Sequence, residues 1–446
     1  MRLPKIIVGI FLVAHIMGCE KMVEVAPPKY ELTGDMIFSN RENAEAYLAN
    51  VYTKAAQAAF PYVSNPMNLY CDDIVYNGNN ASLLEFYQGL VNPINLINEN
   101  QWKSIFATIY YANNWLNAEG KLSAIPLDVR NQITGELLTL RAKSYFDLMV
   151  LYGEVPLVLT ADFNQSAKLN NADSAVLVSQ MYKDLFSAMP YLNGNYPSSD
   201  RVRINKFVAQ AYLARLALYN KEWELAYNYS DSIINSGLYS LEKLDRVFKV
   251  GSDETLFCYW NKAGYTDYGL SYVTDPGVVP EYSISENLLK EFGSDDLRSK
   301  IWLNDDIQNQ LKTPFKYRNR SEVVNGESEY LVDIRLSEIY LIRAEASANL
   351  GNLTLALKDL NEVRRRAGCE SLPAIVSYSE FLEQLLLERR RELFTEGYLR
   401  FYDLKRNGKM DSLLGYKPSW KAHCVRLPFP YNEILNNANL RQNPGY

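Results

Sequence analysis

Two stretches of the chain set aromatic rings beside amides and carboxylates closely enough to grip a ligand. The first is Tyr70-Cys71-Asp72-Asp73-Ile74-Val75-Tyr76-Asn77-Gly78-Asn79-Asn80. The second runs Tyr259-Trp260-Asn261-Lys262-Ala263-Gly264-Tyr265-Thr266-Asp267-Tyr268 and on to Tyr272 and Tyr282. Flat rings cover the C–H faces of pyranose units, and amide, carboxylate and Arg groups bond the hydroxyls. The expected ligand-binding set is therefore Asp72, Asp73, Tyr76, Asn79, Asn80, Trp260, Tyr265, Tyr268 and Tyr272. Tyr265, Tyr268 and Tyr272 recur every three to four residues in Gly-rich sequence, which favours an open face over core packing. For Tyr259 and Trp260 a buried strand flanking Cys258 is an equal alternative.

Other chemistries find little to stand on. The chain has only two histidines, His15 and His423, which removes His-based metal sites and Ser-His-Asp catalysis. Glycoside hydrolysis needs two carboxyl groups roughly 5–10 Å apart across a bond. Asp72/Asp73, Asp295/Asp296 and Asp305/Asp306 are adjacent pairs whose side chains diverge in extended backbone. No nucleophile elbow or phosphate loop is present, so the expectation is a non-catalytic protein with no cofactor and no metal. A net charge of −6 argues against nucleic acid, which requires a concentrated basic footprint. The runs Arg364-Arg365-Arg366 and Arg389-Arg390-Arg391 read as scaffold, with Arg389/Glu392 and Glu388/Arg391 expected to pair along one helix. Cys71, Cys258, Cys369 and Cys424 lie far apart, so no zinc knuckle is supported, and one or two disulfides of unassigned pairing are allowed.

These residues must be carried by something, and the carrier reads as helices. At 446 residues, 48% hydrophobic and 22% charged, the composition is globular. Apolar residues fall at helical spacing over Arg41–Ala59, Gln101–Glu119, Val129–Tyr152 and Ser174–Met189. Asn205–Gly237 and Arg335–Ala367 align without a gap at an offset of 130 residues. Ala214 matches Ala344, Trp223 matches Leu353, Ala226 matches Ala356 and Ile233 matches Val363. Each unit reads helix, tight turn, helix, and resembles a tetratricopeptide pair, which must stack on neighbours to bury its apolar face. From Gly251 to about Glu329 helical periodicity fades outside Ser285–Phe292. Long irregular excursions within helical scaffolds carry function more often than not.

The N-terminus addresses the chain. Arg2 and Lys5 precede an apolar run, Ile6–Met17, that is too short to span a bilayer and ends in Gly18-Cys19. The segment resembles a bacterial lipoprotein signal, in which the cysteine is lipidated and becomes the new N-terminus. An ordinary secretory signal with an incidental cysteine is the alternative.

Several further segments resemble the SusD/RagB family of Bacteroidetes outer-membrane nutrient-binding lipoproteins. They are Leu140-Arg141-Ala142-Lys143-Ser144-Tyr145-Phe146-Asp147-Leu148 with Leu151-Tyr152-Gly153-Glu154-Val155-Pro156-Leu157; the helix Ile334–Ala346; Glu388-Arg389-Arg390-Arg391-Glu392-Leu393-Phe394-Thr395-Glu396-Gly397 with Arg400–Arg406; and the ending Gln442-Asn443-Pro444-Gly445-Tyr446. The resemblance implies a mainly α fold, a tetratricopeptide-like scaffold with a loop-rich ligand-binding subdomain. It also implies a SusC-like TonB-dependent transporter as partner, oligosaccharide or (as in RagB-like members) peptide as ligand, and a lipid anchor at Cys19 holding the protein on the outer membrane, surface-exposed. A repeat scaffold binding only protein partners is the reading from another class. The expected organisation is a signal peptide (1–18), lipidated tether (19–40), N-terminal helical region (41–250), ligand-binding excursion (251–330) and C-terminal repeat with signature region (331–446).

Overall fold

The computed structural model describes residues 37–446 apart from 60, 276, 375 and 376. The leader, Cys19 and the tether up to residue 36 lie outside the described residues.

The first half is a run of helices: α1 (Arg41–Ala59), α2 (Pro61–Tyr70), a short strand β1 (Ile74–Tyr76), α3 (Ala81–Gln88), α4 (Leu96–Leu116), α5 (Leu127–Tyr152) and α6 (Ser174–Ala188). Successive long helices pack on one another, α1 on α4, α4 on α5 and α5 on α6. α5 is buried on nearly every face from Gly135 to Tyr152. A helix so enclosed must pair its charges. Arg141 accordingly forks onto Asp184 of α6 at 2.6 and 2.8 Å, and Lys143 bonds Asp147 at 2.7 Å.

The internal repeat is real in three dimensions. α7 (Lys206–Tyr219) and α8 (Trp223–Ile234) form one hairpin, α10 (Leu336–Asn349) and α11 (Leu353–Arg366) the other, and α8 packs directly on α10. The first helices of the two hairpins keep the 130-residue offset at both ends. Ala214, Ala226, Ala344 and Ala356 are fully buried, so the crossings are close because the side chains there are small. The tight turns match as well. Gly351 has φ +84°, and its equivalent Lys221 adopts the same left-handed backbone at φ +61° without glycine's freedom. α12 (Tyr378–Leu393) then crosses α10 and α11, and α13 (Leu399–Arg406) follows it.

The excursion leaves and returns through a neck. β2 (Thr255–Tyr259) pairs antiparallel with β6 (Leu331–Arg335), with Cys258 opposite Val332 and Tyr259 opposite Leu331. Between them lie α9 (Asp267–Tyr272), β3 (Tyr282–Ile284), β4 (Leu303–Asp306) and β5 (Leu311–Pro314). β4 and β5 form a hairpin, and β3 reaches back to pair with β1, Tyr76 opposite Tyr282. The excursion is thus fixed to the scaffold at its neck and at the β1 edge.

Both arginine runs serve the scaffold, through contacts between elements more than along a helix. Glu388 and Arg391 do pair along α12, at 3.6 Å. Arg389 bonds Asp403 of α13 at 2.7 Å, not Glu392 as expected. Glu392 instead sits among Arg298, Arg335 and Arg366, and Arg335 also bonds Glu254 and Glu396. Arg366 is half-buried as a residue, with its side chain 7% exposed, and the other groups are buried, so the charges are compensated across the fold. The four cysteines Cys71, Cys258, Cys369 and Cys424 are free and buried, so none of the allowed disulfides forms.

Candidate functional site

The nine expected ligand residues fall into three environments. Asp72 and Asp73 follow α2 and lie 5% and 0% exposed. Arg400 bonds Asp72 at 3.0 Å, and Arg390 bonds Asp72 at 2.8 Å and Asp73 at 3.0 Å. Burial pushes the Asp72 carboxyl up, but Arg400 and Arg390 outweigh it and hold it below the usual carboxylate range. Deeper Asp73 stays raised, because its burial exceeds what Arg390 returns. This corrects the expectation of two ligand-facing carboxylates. The pair welds the segment before β1 onto α12 and α13, and so positions β1.

Tyr268 and Tyr272 are a second correction, being 1% and 3% exposed. Their spacing places both on one face of α9, and that face points inward. The rings form part of a continuous aromatic spine. Tyr76 meets Tyr282 at 5.6 Å, Tyr282 meets Tyr272 at 5.7 Å, and Tyr272 meets Tyr268 at 5.5 Å. Tyr268 stacks on Tyr317 at 5.7 Å, which leads to Phe248 at 5.1 Å. Edge and offset contacts at these separations suit ring quadrupoles. Glycine made the sequence look open. Its purpose at Gly269 is close approach, since a Cβ there would stand 2.0 Å from the Asn319 carbonyl oxygen.

The open residues form two separate patches. At the β1–β3 edge, the buried Tyr76 hydroxyl donates to Glu281 at 2.9 Å and accepts from the Asn80 backbone N–H at 3.0 Å. Tyr76 therefore organises a rim and does not present its ring. Asn80 spends its side-chain oxygen capping α3, accepting from Ser82 and Leu83. Asn79 is exposed, and its amide makes no bond within the described residues. Val278 and Val279, 51% and 58% exposed, precede β3, and the Asn309 amide reaches the Val278 carbonyl from the β4–β5 turn that carries Ile307, 87% exposed; the sequence reading missed all three. Isolated apolar residues in polar loops leave no periodic signal, so only the folded structure brings them into view.

The second patch is the loop after β2. Tyr259 is buried in the strand, so the strand alternative holds for it. Trp260 turns outward and is 59% exposed, with its indole near the Tyr330 hydroxyl. Tyr265, in the same loop, is half-buried. Of the six tryptophans in the chain, Trp260 alone is exposed. A large ring so exposed suits non-covalent stacking.

Asp296 is buried on Arg298, and Asp305 and Asp306 are successive residues of one strand. Among the described residues no group of three or more His, Cys, Asp or Glu could hold a metal ion, and no helix is long and apolar enough to cross a membrane.

The chain is similar to several known proteins. The SusD family profile matches residues 306–446, and a second profile, described as starch-binding associating with the outer membrane, matches residues 27–218. A SusD-like protein, P38, of Formosa agariphila is 24% identical over 98% of both chains. The starch-binding protein SusD of Bacteroides thetaiotaomicron is 36% identical over 29% of this chain and 24% of its own. Among solved structures, a SusD superfamily protein of Bacteroides vulgatus superposes with a TM-score of 0.82 at 19% identity, covering 91% of this chain and 99% of that one. A laminarin-binding SusD-like protein superposes with a TM-score of 0.80 at 22% identity, covering 92% and 100%.

Proposed function

The chain belongs to the SusD/RagB family, and on that premise we propose that it is a non-catalytic lipoprotein, anchored through Cys19, that captures an oligosaccharide at the outer membrane and passes it to a SusC-like TonB-dependent transporter. The observation that carries the capture step is Trp260, the one exposed tryptophan, on a loop held by the β2–β6 neck. Tyr265 lies beside it in the chain. Asn79, on the β1–β3 edge, offers an unbonded amide for hydroxyl groups at a second contact. Asp72, Asp73, Tyr268 and Tyr272 act behind this surface as the packing that fixes it. The proposal takes the ligand to be glycan, in keeping with the starch-binding and laminarin-binding proteins it resembles.

The test is an array of oligosaccharides and peptides probed with the soluble Cys19→Ala form. Binding to one or more glycans, with no reducing ends released on incubation, is the expected outcome. Binding confined to peptides would replace glycan capture by peptide capture. Released reducing ends would make the protein an enzyme.

A further inference from the structure

The molecule holds a built recess, far from the excursion in the chain. Its floor and one wall come from α4, where Trp102, Phe106 and Tyr110 recur at helical spacing on one face. The segment after α5 supplies Val158, Thr160 and Phe163, and α14 (Tyr431–Asn436) closes it with Glu433 and Asn436. The space is about 360 Å³, within the range of small-ligand sites.

The walls are fixed by hydrogen bonds that bypass the space itself. Asn113 of α4 donates to the Val158 carbonyl at 2.9 Å, and the Tyr145 hydroxyl bonds both the Val158 N–H and C=O. Asn437 donates to the Leu169 carbonyl at 2.9 Å, tying the C-terminal wall to the 156–169 segment. Such a recess needs no rearrangement to receive a ligand, which lowers the cost of binding.

Its chemistry is mixed in a specific way. Phe163 and Tyr110 at the mouth are 76% and 48% exposed, so two ring faces are open. The half-buried Glu433 carboxylate lies near the Trp102 indole, and burial raises its pKa. Asn436 is exposed and bonds no protein group among the described residues. Lys103 is paired with Glu99, so no uncompensated positive charge faces the space. Stacking surface, a carboxylate acceptor and a free amide, with no uncompensated positive charge, match the ring faces and hydroxyls of a neutral sugar better than an anion.

We propose that this recess is a second carbohydrate site, independent of the Trp260 loop, that takes the end of a neutral oligosaccharide. It rests on the glycan reading above, and no residue of it belongs to the excursion. A long glycan can then be held at two points, or two chains held at once, which raises apparent affinity through effective concentration.

The experiment compares wild type, Trp260→Ala and the double variant Phe163→Ala/Tyr110→Ala on one array of α- and β-glucan oligosaccharides, with melting temperatures recorded alongside. All three altered side chains are largely exposed, so folding is preserved. The recess variant is expected to lose about tenfold in affinity for at least one glycan that Trp260→Ala still binds, the size of one lost ring contact. Wild-type binding by the recess variant to every glycan, with Trp260→Ala weakened, overturns the recess and leaves the Trp260 reading standing. The opposite pattern upholds the recess and removes Trp260. A wild type that binds no glycan overturns both.

Discussion

Tyrosine is the residue that misleads most in this chain, because its ring and its hydroxyl suit opposite environments. Tyr268 is enclosed between Tyr272 and Tyr317, whereas Trp260, eight positions earlier, faces solvent. Tyr268→Ala therefore opens a cavity in the spine and is expected to cost about 3–5 kcal/mol. Trp260→Ala should stay within about 0.5 kcal/mol of wild type. Denaturant titration of both variants checks the contrast, and equal losses would contradict this account of the excursion. Glu392 is the matching case among charges. Removing it leaves Arg298, Arg335 and Arg366 short of a buried partner, and Glu392→Ala is expected to cost about 3–5 kcal/mol or abolish folding. The arginine runs were readable as scaffold, because acidic residues stood at helical spacing. Their partners on other elements were not, since a helix shows its neighbours three and four places away and nothing beyond.

At the scale of elements, the paired hairpins were legible in full, and their physics explains why. Small alanines at the crossings and a tight turn must recur in register for two units to stack, so the 130-residue offset survives in sequence. Lys221 keeps the left-handed turn that Gly351 makes freely, and Lys221→Gly is expected to raise stability by up to about 1 kcal/mol in thermal unfolding. The short strands were not legible. β1 and β3 have three residues each and pair across more than 200 positions, so neither alternation nor local turn chemistry announces them. Without that pairing the Asp72–Asn80 segment looks like an open loop, and its carboxylates look like ligand groups. The six-residue helix α9 was hidden for a similar reason, being too short for a period to repeat. Gly269→Ala should loosen α9 from the 319 turn, seen as faster amide exchange in the excursion with the repeats unchanged.

For the molecule as a whole, the buried charges set a pH profile. Burial raises Glu392, Glu396 and Asp403, but their arginine and lysine partners outweigh it, so all three titrate below their ordinary values. Their stabilisation is present above the unfolded carboxylate range, near pH 4, and is lost as pH falls through the folded values. Lys405 and Lys417 act in the other direction. Among the described residues both are hydrogen-bonded only to backbone carbonyls, and burial lowers them to about 7 and about 8 from an ordinary 10.5. The unfolded chain binds more protons there, so stability rises with pH from about 7 towards 10, by at most ~1.4 kcal/mol per pH unit for each lysine. Lys405→Met is expected to reduce that slope, measured as unfolding free energy at pH 7 and pH 9.

The organisation of the molecule is a stacked helical body that holds one loop-rich excursion at two places, and capture of glycan by the Trp260 loop is the claim on which its function turns. The most direct measurement is calorimetric titration of wild type and Trp260→Ala with the glycan the array selects, at matched melting temperatures. A loss of about tenfold or more in affinity, with melting unchanged, is predicted. Equal affinity in the two proteins would contradict it.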